Sequence, residues 1–339
     1  MIDKNRTIAC FGEVVMRVSV PPGEFPLQSP RFDAYVGGAE ANVAVALAAL
    51  GRPTIMISAL PPGPIGDGVV NELRRHGVGV EGVARSAGRM GLYYHVPGGP
   101  MRAAEVLYDR ADSAFAVRDA ADWDWSGLLS GAGWLHVSGV TPALGPRSAD
   151  ATLAAVRAAR AAGIGVSFDG NWRGRLWERW QSDPSAILRP IIAEAKILFG
   201  NHRDATLLLG REFSGDGEDR RRDAALALLN DFPALDYVAS TARHIAGPAE
   251  HHIVARIDSR SDHAATDPAV IAPVLDRVGT GDAFAAGVLD GLLEGASLAI
   301  AAERGLALSG LKHGLHGDLA PFPRAVIDRV SAVAQDVAR

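Results

Sequence analysis

The chain has 339 residues, enough for one large α/β domain or two smaller ones, with 48% hydrophobic residues and a net charge of −5. That balance excludes a global basic field for nucleic acid, and no apolar run reaches membrane-spanning length. The single cysteine, Cys10, excludes an internal disulfide framework, and the opening MIDKNR lacks a secretory apolar core, so a cytoplasmic protein is expected. Lysine occurs only at Lys4, Lys196 and Lys312; arginine carries the rest of the positive charge.

In chain order, strand and helix signals alternate. TIACFGEVVMRV reads as a buried strand that turns amphipathic, with Cys10 inside it. ANVAVALAALG reads as a helix stopped by Gly51, PTIMISAL as a strand, and GDGVVNELRRHGV as a helix ending at Gly77. WLHVSGV (strand), SADATLAAVRAARAAG (helix), IGVSFDGN and AKILFGN (strands), a helix through DAALALLNDF and the strand DYVASTA follow. Helices from Asp282 through AIAAERGLALSGLKHG close the chain. Short apolar strands alternating with helices imply a doubly wound, mostly parallel sheet covered on both faces. Residues 12–36 and 91–116 break the rhythm with β-type alternation and Pro-Gly turns, and are expected to form a small β-sheet lid on a single domain spanning 1–339. SGDGEDRRRD, Ser214–Asp223, reads as a solvated turn.

Two familiar signals fail. GVGVEG matches G-x-G-x-x-G, but it follows a helix where a dinucleotide site needs a strand, so Gly77 is read as a helix cap. None of the lysines sits in a Gly-Lys-Ser/Thr context, so any ATP is bound without a P-loop. The histidines form no metal-ligand pattern, and no protein metal site is expected.

Ligands of doubly wound sheets lie at the carboxyl ends of the strands, and here those ends carry FDGNWRGR, FGNHRD and STARHIAG. With DRVGTGDAF, Asp276–Phe284, they are expected to line one cleft. Gly279 and Gly281 permit a tight turn in which the amides of Gly279, Thr280, Gly281 and Asp282 converge on a phosphate oxygen at a helix N-terminus. The same field would keep the Asp282 carboxylate ionised, ready to take a proton from an incoming hydroxyl. A plain helix cap would need no such glycines.

DRVGTGDAFAAG and GGAEANVAVALAALG resemble the C-terminal and N-terminal motifs of the ribokinase-like (PfkB) sugar kinases, and the likeness covers nearly the whole chain. GRMGLYYHV, VLYDRADSAFA and FDGNWRGRLW resemble the 2-keto-3-deoxygluconate kinase branch. The resemblance implies a ribokinase-like fold with a β lid, and ATP and Mg²⁺ as co-substrate and cofactor. It implies substrate contacts from Gly38, Tyr93, Tyr108, Arg110, Arg173 and Asp318, and Asp282 as general base with Gly279–Asp282 as anion hole. Asn201, Asp204, Thr241, Arg243 and Gly247 would lie along the nucleotide. The family's Asn-x-x-Glu, associated with Mg²⁺ and phosphate, reads Asn201-His-Arg-Asp204, and the family's glycine-rich nucleotide loop reads STARHIAGPAEHH.

Arginine's planar fork suits a carboxylate, so Arg110 and Arg173 independently point to an acidic sugar. The alternative is that one of them pairs with a nearby acid such as Asp109 or Asp169, or reaches ATP phosphates. A kinase of the same fold acting on a neutral sugar or a nucleoside is the nearest rival reading, and a non-catalytic sugar- or nucleotide-binding protein is the rival from another class. A homodimer through the lid would cover the lid's open face.

Overall fold

The computed structural model describes residues 6–99, 101–247 and 249–330; the opening MIDKN, Lys4 included, lies outside them. Strands β1 (Thr7–Phe11), β4 (Thr54–Leu60), β5 (Val83–Arg85), β8 (Ala132–Ser138), β9 (Gly165–Asp169), β10 (Ile197–Phe199), β11 (Tyr237–Gly247), β12 (Glu250–Asp258), β13 (His263–Ala265) and β14 (Ala269–Ile271) make the large sheet. Its order is β13-β12-β11-β10-β9-β8-β1-β4-β5, with β14 also on β12. Pairing is parallel from β5 to β11 and antiparallel beyond. A separate four-stranded sheet runs β3-β2-β6-β7, from β2 (Val15–Ser19), β3 (Asp33–Gly37), β6 (Leu92–Val96) and β7 (Glu105–Asp109). These strands come from the two segments read as a lid.

Helices cover both faces of the large sheet. They are α1 (Ala39–Ala49), α2 (Pro64–Arg75), the short α3 (Trp125–Leu128), α4 (Pro146–Ala161), the short α5 (Gly174–Trp177) and α6 (Pro184–Ile192). Then come α7 (His202–Leu209), α8 (Glu218–Asp231), α9 (Thr280–Glu294), α10 (Leu298–His313) and α11 (Arg324–Val330). Strand alternation splits the core in two. Ile8 and Cys10 of β1 face α1, α9 and α10, whereas Ala9 and Phe11 face α4, α6 and α8. Each fully buried Leu, Ile or Phe there contributes about 1.5–3 kcal/mol over exposure, which holds the strand ends in place beneath the site. Gly51 and Gly77 both take positive φ just past α1 and α2, so the helix stops fall where the sequence puts them. No helix among the described residues is long and apolar enough to cross a membrane.

Three readings need correction. TIACFGEVVMRV is two strands in two different sheets, because the chain turns at Gly12–Val14, where a Cβ on Gly12 would strike the Glu40 carboxylate. STARHIAG is no loop: β11 continues to Gly247 in an antiparallel hairpin with β12, the ladder satisfying the backbone groups that a loop would expose to water. The Ser214–Asp223 turn is not wholly solvated, since Arg222 donates to Asp258 and to the Ser259 carbonyl.

Candidate active site

The site lies where the carboxyl ends of β9 and β10, the N-terminus of α9 and the small sheet meet. Gly279 is the N-cap of α9 with φ 78, and no side chain caps the helix. A Cβ on Gly279 would sit 2.0 Å from the Asp318 carbonyl oxygen, so the turn closes only with glycine. At Gly281, by contrast, nothing lies within 4 Å of a Cβ position, which leaves open space over the first turn. The amides of Gly281 and Asp282 have no acceptor among the described residues, as expected of a helix's first turn. Thr280 turns its hydroxyl back to the Arg277 carbonyl.

Asp282 is 7% exposed and is held by two amides: Asn42 Nδ2 donates to Oδ2 at 2.6 Å and Asn171 Nδ2 to Oδ1 at 3.3 Å. It forms no ion pair among the described residues. Burial pushes its carboxyl up, against the Asn42 and Asn171 hydrogen bonds and the fields of Arg173 and Lys312. The helix-end field alone therefore does not set its charge, contrary to the sequence reading. Neither Asn42 nor Asn171 was singled out from sequence. Both lie within stretches quoted there, and Asn171 has a positive φ of 36, a conformation that asparagine tolerates better than most residues.

Asp169, at the end of β9, is pushed up to about 8 by burial and by the neighbouring Asp282 and Asp204 carboxylates, with Arg173 opposing. Its folded value exceeds its unfolded one, so it stabilises the fold at low pH and loses that contribution as pH rises toward 8. Asp169→Asn should therefore melt higher than the parent by several degrees, on the order of 2–4 °C per kcal/mol, at pH 8 but not at pH 4. Equal differences at both pH values would refute the coupling.

The predicted substrate residues divide. Tyr108 and Arg173 line a groove of about 270 Å³ between β7 and α5, with Arg175 and Val106. Arg173 forms no ion pair among the described residues, yet its charge is felt at both Asp169 and Asp282. Arg110 is buried and its Nε donates to Glu13 Oε2 at 2.5 Å, so it is not the free cation the sequence suggested; Asp109 pairs instead with Arg89. Tyr93, also buried, donates to Asp318 Oδ2 at 2.5 Å. Gly38 caps α1 at φ 126, with the Glu13 carbonyl 2.4 Å from a Cβ position.

Arg17, on β2, bridges the small sheet to the turn. Its Nη1 meets Asp276 Oδ2 at 2.7 Å and Asp318 Oδ1 at 3.3 Å. Asp276 in turn accepts from the Val278 and Gly317 amides. Nothing local in the sequence marks Arg17 or Glu13, because their partners lie 259 and 97 residues away.

Among the predicted nucleotide residues, Asn201 and Asp204 form a capping box at α7: Asn201 Oδ1 accepts from the Arg203 amide and Asp204 Oδ2 from the Asn201 amide. The other Asp204 oxygen lies 2.4 Å from where a Cβ on Gly170 would be, beside Asp169. Burial pushes Asp204 up to about 6. Thr241, Arg243 and Gly247 are spread along the β11–β12 hairpin. Arg243 is close enough to Arg277, in the anion turn, for their charges to oppose each other. No group of three or more His, Cys, Asp or Glu among the described residues is placed to hold a metal ion.

The chain as a whole has close relatives in sequence and fold. The profile of the pfkB family carbohydrate kinases matches residues 5–242 and 250–325. The chain belongs to the pfkB carbohydrate kinase family. This kinase is 32% identical to the 2-dehydro-3-deoxygalactonokinase of Haloferax volcanii, over 95% of the chain and 96% of the relative. It is 30% identical to the 2-dehydro-3-deoxygluconokinase of Bacillus subtilis, over 86% of the chain and 85% of the relative. The crystal structure of 2-dehydro-3-deoxygluconokinase from Thermotoga maritima superimposes with a TM-score of 0.91 at 31% identity, covering 97% of this kinase and 100% of that chain. The ribokinase-like fold read from the sequence is thus the fold of the kinase, with its large, mostly parallel sheet and separate smaller sheet.

Proposed function

We propose that the kinase transfers the γ-phosphoryl group of Mg·ATP to the 6-hydroxyl of 2-keto-3-deoxygluconate or a closely similar keto-deoxy sugar acid. Carrying this reading is Arg173, which forms no ion pair among the described residues, lines the groove beside β7 and lies near enough to the buried Asp282 for its charge to be felt there. A sugar acid brings the missing carboxylate, and a charge-assisted contact of that kind is worth about 1.5–3 kcal/mol. The relatives named for deoxy-keto sugar acids support the same substrate class.

Bottom-up, the steps follow from the residues. Tyr108 and Arg173 receive the acid in the groove, and Gly38, Tyr93, Arg110 and Asp318 are the further contacts proposed for it, with Tyr93 held on Asp318 and Arg110 on Glu13. Asp282 takes the proton of the attacking hydroxyl as the Gly279–Asp282 amides gather the charge developing on the phosphoryl oxygens. Asn42 and Asn171 fix the carboxylate's direction. ATP would lie toward Asn201, Asp204 and the hairpin bearing Thr241, Arg243 and Gly247, and Asp204 is the residue that would hold its Mg²⁺, which would supply neutralising charge to the phosphoryl oxygens. The reading also holds a cytoplasmic enzyme and a dimer. The row Ala34, Val18, Tyr94, Leu107 crosses all four strands of the small sheet, with Tyr94 39% and Leu107 52% exposed, and a second copy would cover it.

ADP release measured with 2-keto-3-deoxygluconate, its galacto epimer, fructose, ribose and adenosine tests the reading. Turnover confined to the two sugar acids is expected. Preference for fructose or adenosine, or binding with no ADP formed, would overturn it. Arg173→Ala should raise KM for the acid about 10- to 100-fold while kcat at alkaline pH changes little. An unchanged KM would remove the carboxylate contact.

A further inference from the structure

Lys312 is fully buried in the last turn of α10, where its Nζ donates to the Leu315 carbonyl at 2.8 Å and enters no ion pair among the described residues. Burying an ammonium with so little company is costly, which asks what its position contributes. The segment after Lys312 is the rear wall of the anion turn. The His313 carbonyl accepts from the Leu275 and Asp276 amides, the Gly317 amide donates to Asp276, and the Asp318 carbonyl packs on Gly279. Burial pushes the Lys312 ammonium down, and the carboxylates of Asp276, Asp318 and Asp282 oppose that while Arg17 adds to it.

We propose that Lys312 is a built-in cation of the phosphoryl-transfer site, a positioning residue whose ammonium completes the buried charge behind the anion turn. Arg17 answers Asp276 and Asp318 behind the turn, and Lys312 is a second cation on that buried side, whereas Arg173 acts on Asp282 from the groove. The choice of residue supports the assignment. The chain uses arginine for nearly all of its positive charge and has only three lysines, yet Lys312 is one of the buried cations, along with Arg17 and Arg256. A compact ammonium fits a point position behind a turn where a planar guanidinium fork would not. With that charge internal, the turn needs no monovalent cation from solution.

The inference rests on the kinase reading for its rate measurements but not for its melting measurements. Lys312→Ala should melt below the parent, and methylammonium should raise its melting temperature and restore its kcat, whereas tetramethylammonium at equal ionic strength should do neither. Lys312→Met should lower kcat about tenfold or more and move the acid limb of its pH profile upward, because Asp282 loses a stabilising cation. The charged and titratable groups to be held fixed in that comparison are Asp169 and Arg173 beside Asp282, and Asp276, Asp318, Arg17 and His313 around Lys312. The unaltered enzyme should turn over equally in potassium, sodium and tetramethylammonium chloride. A folded Lys312→Met with parental kcat and acid limb overturns the proposal. So does Lys312→Ala whose melting methylammonium leaves unmoved or whose folding it fails to restore, or a potassium requirement in the unaltered enzyme. If the unaltered enzyme phosphorylates no sugar acid, the kinase reading fails, while the methylammonium melts still decide the role of Lys312.

Discussion

Asp282→Asn should lower kcat by roughly 10²- to 10⁴-fold while sugar binding stays nearly intact, the range expected when a positioned proton acceptor is removed. The substitution is conservative in shape, and an amide oxygen can still accept from Asn42, so folding should be little affected. The lost function is proton acceptance. The pH profile gives a sharper test than the rate alone. Burial raises the Asp282 carboxyl, so activity should fall as pH drops through that raised value, and the residual rate of the variant should lack this acid limb. An Asp282→Asn enzyme with near-normal turnover, or one that keeps the limb, would take Asp282 out of the mechanism.

Gly279→Ala should be comparably damaging by a different route. The backbone there has φ 78, and the new methyl carbon would lie 2.0 Å from the Asp318 carbonyl oxygen, a backbone atom that cannot swing aside. Strain of this kind costs about 1–3 kcal/mol. The variant should melt several degrees lower, and displacing the amides should reduce kcat by about 100-fold. Gly281→Ala is the natural control, because open space surrounds that position. It should melt like the parent while weakening kcat/KM for ATP, since its methyl group would occupy the space assigned to the phosphoryl group. If both variants melt like the parent, the tight closure of the turn against Asp318 is not a stability constraint. If Gly281→Ala also keeps full activity, the phosphoryl group does not sit over the first turn.

Much of the fold was legible because its signals are local. Gly51 and Gly77 mark helix stops through their own φ requirement, and the apolar runs of β4 and β8 can only be buried strands. The glycine turn before α9 was legible for the same reason. What could not be read were pairings between distant parts of the chain. Arg110 was expected to be free and is answered by Glu13, while Asp282 is steered by Asn42, 240 residues away. The end of β11 was misjudged because the polar residues from Ser240 onward resemble a loop until the antiparallel partner strand supplies their backbone bonds. What acts on the Asp282 charge was only partly legible, because burial and the Asn171 and Lys312 environments do not exist until the fold is complete.

The hold of Arg17 on Asp276 and Asp318 has a consequence for assembly. A residue near the beginning of the chain and two near its end must meet before the cleft has a rear wall, so no early fragment emerging during synthesis can contain a working centre. A chain cut short ahead of Asp276 and Asp318 should therefore lack that wall, and with it phosphoryl transfer, however well its large sheet has formed.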